Sequence, residues 1–175
     1  KELNLQNKVK FKLGDYTKLD FPDKTFDGVY TMETLVHVPD YKKALSEFYR
    51  VLKPNGKLVL FEYSMASREK IPSKELKLAE MVNEESGMHS LPYFIHGKFP
   101  KILKDVGFEN VVVKDTTPRI MPMLKTFYSL AYVPYMFIKF LGLQRKFINT
   151  TFSVEGYRSS KKDFFRYNII SAVKR

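Results

Sequence analysis

The 175 residues are 44% hydrophobic and 28% charged, enough apolar mass to bury a core, so the composition excludes a disordered chain. Cysteine is absent, which excludes disulfides, thiolate metal sites and a cysteine nucleophile, and three histidines (His37, His89, His96) argue against a histidine-rich centre; no metal site is expected. The net charge of +11 is uneven, with 19 basic and 17 acidic residues in 1–115 but 11 basic and two acidic residues in 116–175.

In chain order, Val9, Phe11 and Leu13 alternate with lysines, which predicts a short strand ending at Gly14-Asp15. Phe21-Pro22-Asp23-Lys24 reads as a turn, and Phe26 to Met32 as a second strand. Leu45, Phe48, Val51 and Leu52 repeat at helical spacing over residues 40–52, with Asp40 as the candidate N-cap. Pro54-Asn55-Gly56 turns the chain into an apolar run from Lys57 to Phe61, read as a buried strand with Glu62 and Tyr63 at its end. Helices are expected over 73–83 and 97–106, the second closed by Gly107. Val111 to Val113 and Phe164 to Val173 read as strands.

Residues 117–160 break this rhythm. Thr126 to Ile138 is an uncharged run of 13 residues, shorter than the roughly 20 that span a bilayer, and Pro134 is expected to kink or end a helix there. The alternation elsewhere points to an α/β fold with a mostly parallel sheet. The expected organisation is a core over 1–116, an apolar, basic helical insertion over 117–160, and a last core strand over 161–175.

Open α/β sheets bind ligands beyond the carboxyl ends of their strands. The residues at that rim are Asp15 and Tyr16, then Thr31 to His37, then Glu62 and Tyr63. Each has an ordinary structural reading: Asp15 as a cap, Glu33 as an acid at a helix start, His37 as a loop histidine. Their gathering at one rim is what suggests chemistry.

The run Gly14-Asp15-Tyr16, Leu19-Asp20-Phe21-Pro22-Asp23, Thr25-Phe26-Asp27-Gly28-Val29, then His37, then Tyr49-Arg50-Val51-Leu52-Lys53-Pro54-Asn55-Gly56-Lys57 resembles the class I S-adenosylmethionine-dependent methyltransferases. Within them, Tyr30 to Pro39 (YTMETLVHVP) and Phe61-Glu62-Tyr63-Ser64-Met65 are similar to the sterol 24-C-methyltransferases and their lipid-modifying relatives. Tyr63 stands where those enzymes have tryptophan. The resemblance implies a Rossmann-like sheet of order 3-2-1-4-5-7-6 with an antiparallel last strand, of which this chain supplies strands 3 to 7. The family's glycine-rich loop and ribose-binding acid do not occur among these residues, and with Lys as its first residue the chain is expected to be part of a longer one.

The resemblance further implies S-adenosylmethionine as cofactor, with Asp15 on the adenine amino group, Tyr16 along the ring, and Thr31, Met32 and His37 lining the rest. For an alkene acceptor it implies a carbocation, and Glu33, His37, Glu62 and Tyr63 become the candidates for stabilising it and removing a proton. The expected acceptor is a hydrophobic, sterol-like molecule, with O- or C-methylation of a quinone or phenol as the alternative. The basic, aromatic C-terminal third also allows peripheral membrane contact, a homo-oligomer, and a cytoplasmic location at an endoplasmic reticulum or lipid-droplet surface. The same third allows a non-enzymatic basic module for membranes or nucleic acid, but no nucleic-acid motif occurs in it and no nucleic-acid partner is expected.

Overall fold

The computed structural model describes residues 8–175. Four strands form one mixed sheet in the order β1-β2-β4-β3: β1 (Phe26–Met32), β2 (Leu52–Met65), β3 (Phe108–Asp115) and β4 (Phe165–Lys174). β1 and β2 are parallel, whereas β4 runs antiparallel to both β2 and β3. This is the 4-5-7-6 part of the expected order, with the antiparallel last strand in its expected place.

The first expected strand does not form. Among the described residues no strand lies beside residues 9–13, and Phe11 is 97% exposed. Alternation alone cannot make a strand, because a strand exists only as half of a hydrogen-bonded pair.

Helix α1 (Tyr41–Val51) follows from its sequence directly. The Asp40 side chain accepts the Lys43 N–H at 3.0 Å, a cap worth about 1 kcal/mol. Ala44, Leu45, Phe48 and Val51 form its buried stripe. That stripe meets the alternate residues of β2 and β4 that share one sheet face: Leu58, Leu60, Ile170 and Ala172. Helix α3 (Phe99–Val106) seals the same face with Phe99 and Leu103, and ends on Gly107 in the left-handed conformation at φ 112°.

The Pro54-Asn55-Gly56 turn lies inside β2. The pairing with β1 jumps from Phe26–Leu52 to Gly28–Lys57, so the turn is absorbed as a bulge with Asn55 at φ 64°.

Arg50, at the end of α1, ties down the segment that leads into β1. Its guanidinium donates to both oxygens of Glu47 (2.8 Å each), to Asp23 (2.7 Å), and to the carbonyls of Leu19 (2.9 Å) and Phe21 (2.8 Å). Glu47 in turn accepts the Leu19 N–H at 2.8 Å. Arg50→Met is expected to lower the urea unfolding midpoint, because several charge-assisted bonds are lost and two carbonyls are left unmet. It should also open residues 19–24 to limited proteolysis; an unchanged midpoint and digestion pattern would count against the clamp.

The two remaining long helices are α4 (Thr117–Phe140) and α5 (Ile148–Lys161), while α2 (Ser73–Glu85) packs against α5. Helix α4 passes through Pro122 and Pro134 without ending, so of the two outcomes expected at Pro134 the helix end does not occur. A proline removes one amide donor, which a long helix tolerates when its other contacts hold it. Here Tyr135 is buried and its hydroxyl donates to Glu155 of α5 at 2.6 Å. Arg158 donates to the same carboxylate at 2.9 Å, and its guanidinium lies 5.8 Å from the rings of Tyr128, Tyr132 and Tyr135. Among the described residues, no helix is long and apolar enough to cross a membrane.

Candidate functional site

Two recesses lie at the carboxyl ends of β1 and β2. The first is a groove of about 420 Å³ lined by Asp15, Tyr16, Thr17, His37, Val38, Pro39, Asp40 and Lys43. Asp15 opens a tight turn in which one oxygen, Oδ1, accepts both the Thr17 N–H and the Thr17 hydroxyl at 2.8 Å. The Thr17 N–H, then its hydroxyl, hold this carboxyl below the usual carboxylate range. The turn leaves Oδ2 for another donor. The Tyr16 hydroxyl donates to the Thr34 carbonyl at 2.8 Å, which fixes its ring beside the end of β1. His37 places Nδ1 3.0 Å from the Gly87 carbonyl.

The second recess, about 440 Å³, lies on the other side of the β1 end. Its polar corner is Glu33, Tyr63 and Tyr167; its walls are Ile120, Met123, Leu124 and Phe127 of α4, Asn149, Phe152, Ser153 and Gly156 of α5, and Phe165. The Tyr63 hydroxyl donates a short hydrogen bond to Glu33 Oε2. Burial, then the Glu33 carboxylate, push the Tyr63 hydroxyl far above its ordinary pKa, so it stays a proton donor. Tyr167 faces the same carboxylate and is raised for the same two reasons. The Tyr63 ring packs on those of Phe165 and Tyr167, with centroids 4.8 and 5.2 Å away. A carboxylate between two phenols, in a pocket with no lysine or arginine among its described lining residues, can stabilise a positive charge on an apolar ligand.

Glu33 reaches this pocket through an unusual backbone. Its φ is 54°, a left-handed conformation that costs a non-glycine residue about 1–2 kcal/mol. The next turn, Leu35–His37, is held from behind by Glu62, whose Oε1 accepts the Leu35 N–H at 2.7 Å and the Thr34 N–H at 3.1 Å. Glu62 is fully buried, and its second oxygen has no partner. Desolvation pushes this carboxyl up to about 7, against the pull of the Leu35 and Thr34 amides.

The structure thus divides the residues expected at one rim. Glu33 and Tyr63 share the apolar pocket. His37 lies instead with Asp15 and Tyr16 in the groove, and Glu62 lines neither recess. Thr31 is half-buried with an unpartnered hydroxyl oxygen, and Met32 is largely exposed at the strand end. Tyr167 was missed by sequence reasoning. It comes to the site only because β4 pairs with β2 in the register Tyr63–Tyr167.

The carboxylate oxygen that the Asp15 turn leaves open in the groove fits a ligand that brings a hydrogen-bond donor, as an aminonucleoside does. Residues 1–60 match the model of a methyltransferase domain family. Over 164 residues, 91% of this chain, it is 30% identical to the S-adenosyl-L-methionine-dependent Diels-Alderase iccD of Talaromyces variabilis, covering 56% of that protein. Over 117 residues, 66% of this chain, it is 34% identical to the sterol 24-C-methyltransferase of Saccharomyces cerevisiae, covering 30% of it. Phosphoethanolamine N-methyltransferase 2 of Haemonchus contortus, solved with S-adenosyl-L-methionine, superposes with a TM-score of 0.66 at 22% identity, over 91% of this chain and 36% of that one. The chain spans a third to just over half of these proteins' lengths.

Proposed function

Since the chain belongs to the class I S-adenosylmethionine-dependent methyltransferases, we propose that its function is methyl transfer to carbon of a sterol or other isoprenoid alkene. The single observation that carries this reading is the Glu33–Tyr63–Tyr167 corner inside an apolar pocket. A phenol oxygen needs one base and no cation stabiliser, and a phosphorylated amine needs a cation to meet its phosphate, which the described lining does not offer.

S-adenosylmethionine, when bound, supplies an electrophilic methyl group. Asp15 is suited to accept the adenine amino group through Oδ2, Tyr16 to flank the ring and His37 to line the groove beside them, whereas Thr31 and Met32 line neither recess. The glycine-rich loop that completes such a site in the family would come from outside these residues. On the acceptor side, α4 and α5 wall the recess, and the Glu33 charge faces the position of the reacting carbon from its rim. Tyr63 keeps Glu33 oriented by donating to it, and the Tyr167 ring stands beside them in the same pocket. A proton lost from the methylated carbon then has one carboxylate within the pocket to receive it, Glu33.

A second reading has an observation of its own. The match to the Diels-Alderase runs over 91% of this chain, whereas that to the sterol enzyme covers 66%. The pocket would then fold a polyene for cyclisation, without methyl transfer. The full-length protein with methyl-labelled S-adenosylmethionine and an alkene-bearing sterol tests both. Label on carbon with an equivalent of S-adenosylhomocysteine is expected. Label on oxygen, or cyclised acceptor with no S-adenosylhomocysteine, would overturn the proposal.

A further inference from the structure

Gly156 has no local reason to be glycine. It is buried in the body of α5, where glycine costs about 1 kcal/mol relative to alanine. Its backbone is not left-handed, and a Cβ there would meet the Phe152 ring at 3.6 Å, an ordinary contact. What distinguishes the position is space on both sides. One side is the acceptor pocket; the other is a separate cavity of about 50 Å³ between α2 and α5, walled mainly by Met65, Ile71, Leu78, Ala79 and Val82, with Asn83, whose amide donates to the Met65 sulfur, and Ser159 as its uncharged polar residues. Phe152, Gly156 and Phe165 line both. Protein interiors rarely keep such voids, and an apolar one stays dry and takes apolar ligands. The acids that reach its rim are already engaged: Glu75 with Lys162 at 2.9 Å, and Glu155 with Tyr135 and Arg158.

We propose that the cavity between α2 and α5 is a second compartment of the acceptor site. It receives the far apolar end of an elongated isoprenoid acceptor whose reacting carbon sits at Glu33, and Gly156 keeps the passage open. This rests on the reading of the pocket as an isoprenoid acceptor site and adds to it a limit on acceptor length. The Phe152 ring, set edge-on to Phe165 with centroids 6.1 Å apart, is the movable part of the partition. The void has room for about two water-sized groups, so it fits the branched end of a chain and no ring system.

The test is equilibrium dialysis of the full-length protein with labelled geraniol and with labelled geranylgeraniol, the longer chain. Gly156→Leu, which fills the passage, is expected to weaken geranylgeraniol at least tenfold and geraniol less than threefold. Ala79→Leu, which fills the cavity from the α2 wall, should reproduce that selective loss should Gly156→Leu fail to fold. Equal losses for both alcohols, or none for either, would overturn the compartment. A wild-type protein that binds both alcohols but transfers no methyl group to either, or to a sterol, overturns the proposed function and leaves the compartment standing. A wild-type protein that binds neither overturns both.

Discussion

Glu33→Gln is expected to lower turnover about a hundredfold or more, a loss of about 2.7 kcal/mol of transition-state stabilisation, while S-adenosylhomocysteine affinity stays within about threefold. Glutamine keeps the shape of the side chain and an oxygen to accept from Tyr63, so the pocket should hold its form. What goes is the charge that faces the pocket. The groove around Asp15 does not include Glu33, which is why cofactor affinity should survive. Single-turnover rates on the acceptor that carries the label, paired with calorimetric titration of S-adenosylhomocysteine, separate the two effects. Wild-type turnover would remove Glu33 from the chemistry. Loss of both turnover and cofactor affinity would make it a structural residue of the β1 turn.

Much of this site was legible in the sequence, and the parts that were not have physical causes. Phe26–Met32 and α1 were readable because each carries its own signal, a β-rich run after a turn in one case and a capped apolar stripe in the other. Residues 9–13 carry an equally clean alternation and form no strand, since alternation describes a face and says nothing of a neighbour. Glu62 and Tyr63 were grouped because they are adjacent at a strand end. In β2 the period of two sends Tyr63 to the acceptor pocket and Glu62 to the opposite, buried face, so adjacency within a strand is evidence for separation. The apolar insertion expected over 117–160 contributes Met123, Leu124, Phe127 and Phe152 to the lining of the pocket. Tyr167 was not legible, because its part depends on the register of two strands about a hundred residues apart.

The position of Glu62 makes folding stability depend on pH in a direction opposite to that of most paired carboxylates. Its carboxyl is raised from 4.5 to about 7 in the folded protein, so between those values the native state holds a proton that the unfolded chain has released. Stability from this group is therefore complete below about pH 4.5, falls as pH rises through the window, and is gone above about pH 7. At about 1.4 kcal/mol per pH unit the whole window amounts to roughly 3 kcal/mol. Glu62→Gln never ionises. Its amide oxygen can still accept the Thr34 and Leu35 N–H groups, and its NH2 stands where the native Oε2 has no partner. The variant should accordingly match the wild type in urea unfolding near pH 4.5 and exceed it by about 3 kcal/mol near pH 8. Parallel stability curves at the two pH values would mean that Glu62 titrates normally and that water reaches its second oxygen. A variant less stable at both would mean that the carboxylate charge is what holds the Thr34–Leu35 turn. The same turn carries Glu33, so the expected result would also mean that a neutral acid can hold Glu33 in its left-handed conformation.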